Sequence, residues 1–139
     1  MKGNRLLGLF GLVAAMSIGA ANADDYPSKQ ITMVIPFSAG GPTDTVGRLI
    51  AQPMGAYLKQ TVVIENVGGA GGTLAAGKVA RSDADGYTIF LHHIGHSTAP
   101  SLYRKLAYNA LDDFEPIGLV TDVPMTIVAR KDFPAKDVK

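Results

Sequence analysis

Cysteine is absent from the 139-residue chain, which removes disulfide frameworks, thiolate nucleophiles and cysteine-ligated metal centres from consideration. An excess of charge of either sign is missing too. Thirteen Lys and Arg stand against twelve Asp and Glu, a formal net charge of +1. Without the first 23 residues, which hold Lys2 and Arg5, the balance is eleven against twelve, or −1. Nucleic-acid binding favours clustered basic residues, so no nucleic-acid partner is expected. Attraction of anions by the molecule as a whole is equally disfavoured, and any anion capture has to be local. The longest apolar stretch, Leu6 to Ala21, is broken by Gly8, Gly11, Ser17 and Gly19 and falls short of the roughly 20 residues of a membrane span. No G-x-G-x-x-G fingerprint occurs, because Leu74 stands where the last glycine after Gly69 and Gly71 belongs, and no histidine follows His96.

What is present begins with an export signal. Lys2 and Arg5 precede the apolar stretch, and Ala21-Asn22-Ala23 has the small-x-small pattern of a cleavage site. Residues 1–23 are therefore expected to be a signal peptide cleaved after Ala23, and residues 24–139 the exported fold. From Gln30 to His92 apolar runs alternate with helical patterns. Gln30 to Ile35, Thr61 to Asn66 and Tyr87 to His92 read as strands. Thr43 to Gln60 reads as a helix with Val46, Leu49, Ile50, Met54, Tyr57 and Leu58 on one face, kinked or split at Pro53. Thr73 to Arg81 reads as a short helix, Ser97 to Tyr103 as a helical turn, and Ile117 to Thr121 and Met125 to Ala129 as two further strands. This alternation predicts an α/β fold with a mostly parallel sheet flanked by helices, in which ligands bind at the carboxyl ends of strands.

Three glycine- or polar-rich segments follow strands, Ser38 to Asp44, Gly68 to Thr73 and His93 to Thr98, placed so that they can share one rim, and three motifs in or beside them carry candidate chemistry. The first, Phe37-Ser38-Ala39-Gly40-Gly41-Pro42-Thr43-Asp44, joins a strand to a helix through two glycines. It is either a plain turn or an anion cradle in which free N–H groups and the positive end of the helix dipole converge. The Gly40 and Gly41 amides are the expected donors, and Asp44 is expected to cap the helix or to meet a donor on the ligand. The second, Gly72 to Val79, spells G-x-x-x-x-G-K but has Val79 where a P-loop needs Ser or Thr. Nucleotide binding is disfavoured, and no cofactor is expected. The third, Gly95-His96-Ser97-Thr98-Ala99, approximates the nucleophile elbow G-x-S-x-G. A secreted α/β-hydrolase using Ser97 is the alternative reading, but its acid and then its histidine have to follow the serine, and the histidine is missing from this sequence. His92, His93 and His96 are not expected to share a metal ion, since adjacent residues on a strand face opposite sides.

Tyr26-Pro27-Ser28-Lys29-Gln30-Ile31, then Pro36 to Asp44, Glu65-Asn66 followed by Gly69-Ala70-Gly71-Gly72, Asp85-Gly86-Tyr87-Thr88 and Pro100-Ser101-Leu102-Tyr103 stand in an order that resembles the substrate-binding proteins of the tripartite tricarboxylate transporter family, also called the Bug family. The resemblance runs from Tyr26 to about Pro134. It implies a periplasmic receptor of two α/β lobes that close over a small carboxylate, with no enzymatic activity and no ATP. It also implies integral membrane components as partners. Carried over residue by residue, it places the loop Phe37, Ser38, Ala39, Gly40, Gly41, Thr43 and Asp44 on the ligand, and His96, Ser97 and Thr98 on the same cleft. Members of the family are more than twice as long, so residues 24–139 are expected to form the N-terminal lobe, with the second lobe lacking. The resemblance leaves open which carboxylate is bound.

Overall fold

The run Ile31–Ile35 forms strand β1 and is the centre of the molecule: Ile31, Met33, Val34 and Ile35 are each no more than 2% exposed. A strand covered on both faces needs apolar residues at consecutive positions rather than at alternate ones, and burial of side chains of this size contributes about 1.5–3 kcal/mol apiece. The computed structural model describes residues 26–122, 124, 126–132 and 134. The expected signal peptide lies outside them.

After β1 the chain runs through helix α1 (Pro42–Leu58), strand β2 (Val62–Asn66), a 3-10 turn over Ala70–Gly72, helix α2 (Thr73–Val79), strand β3 (Thr88–Phe90) and helix α3 (Gly95–Leu102). The sheet order is β2-β1-β3, and both pairings are parallel. Ile35 stands opposite Asn66 and Val34 opposite Phe90, so all three strands end on one rim. The crossover from β1 to β2 and the crossover from β2 back past β1 to β3 run in opposite directions across the sheet. Right-handed connections therefore lay α1 and α2 on opposite faces, with α1 against β1 and β2 and α2 against β1 and β3.

Gly47 allows α1 to lie close on the sheet, for a Cβ there would stand 2.4 Å from Ile35 Cδ1 and 3.2 Å from Leu91 Cδ2. That close approach also corrects the expected apolar face. The buried residues of α1 are Asp44, Gly47 and Ala51, whereas Leu49 and Tyr57 are 69% and 87% exposed. Pro53 lies inside α1 without breaking it. The strands expected at Ile117 to Thr121 and Met125 to Ala129 do not form among the described residues, Met125 lying outside them. Ile117, Leu119, Ile127 and Val128 are each at least 84% exposed. A β-branched run becomes a strand only against a partner, and no described strand pairs with these.

Candidate functional site

β1 has β2 on one side and β3 on the other, and the direction of the crossovers reverses between β1–β2 and β2–β3. This makes the carboxyl end of β1 a topological switch point, the place where open parallel sheets bind ligands. The loops after the three strands meet there. A Cβ at Gly72 would lie 2.7 Å from His92 Nε2 and 3.0 Å from Pro36 Cβ. Phe37 stacks on His93 with ring centroids 4.6 Å apart and meets the edge of His92 at 5.6 Å.

The loop after β1 is braced from beneath by Asp44, whose side chain is only 2% exposed. Its Oδ2 accepts the Gly40 N–H at 2.7 Å and the Arg48 Nε–H at 2.8 Å. Its Oδ1 accepts from Asn66 Nδ2 at 3.0 Å, and the same amide nitrogen donates to the Phe37 carbonyl at 3.0 Å. Chiefly the Arg48 hydrogen bond, then those from Gly40 and Asn66, holds the Asp44 carboxyl far below the usual carboxylate range, against the opposing effect of burial. Gly40 turns the chain at φ +80, in the left-handed region that favours glycine.

These bonds redistribute the donors expected from sequence. The Gly40 amide is taken by Asp44, and the Gly41 amide donates to the Ser38 carbonyl at 3.3 Å. Gly41 is the N-cap of α1 with no side-chain cap bond, and Pro42 is its first residue. Asp44 reaches back to the loop instead of capping. Among the described residues, the N–H groups of Ser38, Ala39, Thr43 and Asp44 itself have no acceptor. Ser38 and Ala39 are exposed, and Thr43 is half-buried. Beside them Ala39, Gly40, Asp44, Thr45, Arg48 and Leu49 line an open cavity of about 460 Å³.

On the β3 side the expected residues separate. His96 turns inward, stacked on Tyr108 at 5.9 Å and edge-on to Phe114 at 4.7 Å. Its Nε2 lies 3.1 Å from the Ala110 carbonyl, and its buried Nδ1 has no partner among the described residues. Ser97 Oγ donates to the Ile94 carbonyl at 3.0 Å, as does Thr98 Oγ1 at 3.2 Å. Ser97 therefore sits within α3, bonded to its own helix, and no histidine or carboxylate pairs with it among the described residues. The geometry does not assemble a hydrolase triad. Gly72 to Val79 likewise winds into α2 from its second residue onward instead of forming a phosphate loop.

The histidines depart from the strand argument. β3 ends at Phe90, so His92 and His93 lie beyond it and their rings stand 5.0 Å apart. The His93 N–H donates to His92 Nδ1 at 2.7 Å, and the Gly95 N–H donates to His93 Nδ1 at 3.0 Å. Burial, together with the nearby His93 and His96, lowers the His92 pKa to about 4. Sequence reasoning did not anticipate the parts played by Asn66 and Arg48. The four-residue spacing of Asp44 and Arg48 on one helix was an available signal; the reach of Asn66 across the sheet was not.

The profile of the tripartite tricarboxylate transporter family receptor matches residues 46–139. A UPF0065 protein of Agrobacterium vitis, from the TAR-I ttuE-ttuC' intergenic region, is 54% identical over 113 residues, which are 81% of this chain and 33% of that relative. The solved structure of the periplasmic binding protein BugD is 55% identical at a TM-score of 0.65, over 67% of this chain and 31% of BugD. MatC of Rhodopseudomonas palustris, solved with bound malate, is 48% identical at a TM-score of 0.66, over 68% of this chain and 33% of MatC. The chain thus spans about a third of the length of these relatives.

Proposed function

Since the chain belongs to the tripartite tricarboxylate transporter receptor family, we propose that it acts as a periplasmic solute-binding receptor that captures a small carboxylate and presents it to the membrane components of a secondary transporter. In this reading residues 24–139 form one lobe of a two-lobe receptor, exported by cleavage after Ala23. The ligand, a di- or tricarboxylate or an acidic amino acid, lies between the rim described above and an opposing lobe.

The observation that carries the proposal is the group of unpaired N–H groups at Ser38, Ala39 and Thr43, beside the N-terminus of α1 at the switch point of the sheet. Each hydrogen bond from such an amide to a carboxylate contributes about 1.5–3 kcal/mol, so a few of them give useful affinity without a dedicated cation. The binding of malate by MatC supports the ligand class. Titration calorimetry of the polypeptide that carries this sequence, against malate, tricarboxylates and acidic amino acids, is the direct test. Saturable binding of at least one is expected; a folded protein that binds none of them overturns the reading.

A further inference from the structure

Resting on that reading, we infer that Arg48 is a positioning residue of the carboxylate site, and that it works by cancelling the charge of Asp44 directly beneath the ligand loop. An anion site with a buried carboxylate at its base is a contradiction unless that charge is balanced. At the separation of one hydrogen-bonded amide, two like charges in a partly wet site repel by on the order of 1 kcal/mol or more. Asp44 touches the loop directly through the Gly40 N–H and lines the same cavity as Ala39 and Gly40. Arg48 is its ion-pair partner, with Nε 2.8 Å from Oδ2. The other groups that face the carboxylate, Gly40 from the loop and Asn66 from β2, are neutral donors. They stabilise the charge without cancelling it.

The pair is asymmetric in burial: the Arg48 side chain is 55% exposed, against 2% for Asp44. The cation, which also donates from Nη2 to Asn66 Oδ1 at a long 3.5 Å, can therefore be changed at the surface with the donors of Gly40 and Asn66 still present beside Asp44. A guanidinium that contacts the ligand itself is the competing arrangement, since Arg48 also lines the cavity. The two differ in their dependence on the Asp44 charge. If Arg48 acts through Asp44, its removal leaves an uncompensated carboxylate that titrates nearer the ordinary range, and acid then relieves the repulsion. If it grips the ligand directly, its removal costs as much with a neutral residue at position 44 as with the carboxylate.

The test is malate affinity of the unsubstituted protein, Arg48→Gln and Arg48→Lys, measured by calorimetry at several pH values between 7 and 4. The ratio of each variant to the unsubstituted protein is taken at each pH, and because protonation of malate also weakens a direct contact, Arg48→Gln is measured at pH 7 in an Asp44→Asn background as well, where it is expected to cost less than about twofold and where an undiminished cost overturns the inference. Arg48→Gln is expected to bind about tenfold more weakly at pH 7, with the gap closing as the pH falls toward 4. Arg48→Lys, which keeps the charge, is expected to lose no more than about threefold. A ratio for Arg48→Gln that stays flat or widens on acidification overturns the inference, and so does an Arg48→Lys protein as weak as Arg48→Gln. Should Arg48→Gln not fold, Arg48→Ala takes its place in the same comparisons with the same expected and overturning results. If the unsubstituted protein binds a tricarboxylate or an acidic amino acid in place of malate, that ligand serves as the probe; a folded protein that binds none of the three classes overturns the inference together with the reading it rests on, whereas the other outcomes bear on Arg48 only.

Discussion

Two glycines show how differently one residue type serves this fold. At Gly40 the backbone sits at φ +80 with nothing within 4 Å of a would-be Cβ, so the position needs a conformation and not space. Gly47 has ordinary helical geometry within α1, but its Cβ would meet Ile35 and Leu91, so it needs space and not a conformation. Gly40→Ala is expected to cost about 1–2 kcal/mol through left-handed strain alone and to weaken malate binding, because the Ser38 and Ala39 amides are aimed by that turn. Gly47→Ala is expected to cost about 1–3 kcal/mol through overpacking with malate affinity retained by the folded fraction. Urea unfolding followed by calorimetry on both variants checks the contrast; equal effects on binding would show that the turn at Gly40 does not aim the loop.

At the scale of elements, the three strands, the long helix and the short helix after the glycine cluster were legible because each has a local signature: β-branched runs for β1, β2 and β3, and a Pro start for α1. Misplaced were features that depend on distant residues. The buried face of α1 follows Asp44, Gly47 and Ala51 because a close helix-to-sheet contact selects small residues, which a hydrophobic period cannot reveal. β3 stops at Phe90, two residues before its apolar pattern does, and this brings His92 and His93 out of the strand and against Phe37. That junction carries a pH dependence. His92 has its pKa lowered from 6.5 to about 4, so the unfolded chain takes up the proton first. Its contribution to stability is complete above about 6.5 and is lost as the pH falls from there toward 4. After allowance for the solvent-facing part of the ring, the loss between pH 7.5 and 5 is expected to be about 1 kcal/mol. Urea midpoints at the two pH values, compared with those of His92→Gln, measure it; an equal acid loss in the variant would remove the assignment.

For the molecule as a whole, what the sequence conveyed about the candidate site was the rim on which its segments meet, since three polar or glycine-rich segments follow three parallel strands. The donor pattern was not legible, because the hydrogen bonds that take the Gly40 amide and spare those of Ser38 and Ala39 come from Asp44, held by Asn66 of another strand and by Arg48 one turn further along α1. Two apolar segments expected as strands stay unpaired among the described residues, exposing Ile117, Leu119, Ile127 and Val128. Apolar surface of that extent has to be covered by some protein surface to remain soluble as a monomer. A polypeptide consisting of residues 24–139 alone is therefore expected to associate as its concentration rises, with sedimentation velocity showing a growing fraction of dimers and larger species. Replacing these four residues together by serine is expected to shift the population to monomer while leaving the far-ultraviolet circular dichroism unchanged, because none of them belongs to a helix or strand. A monomer at every concentration before substitution would mean that the segment finds its cover within the same chain.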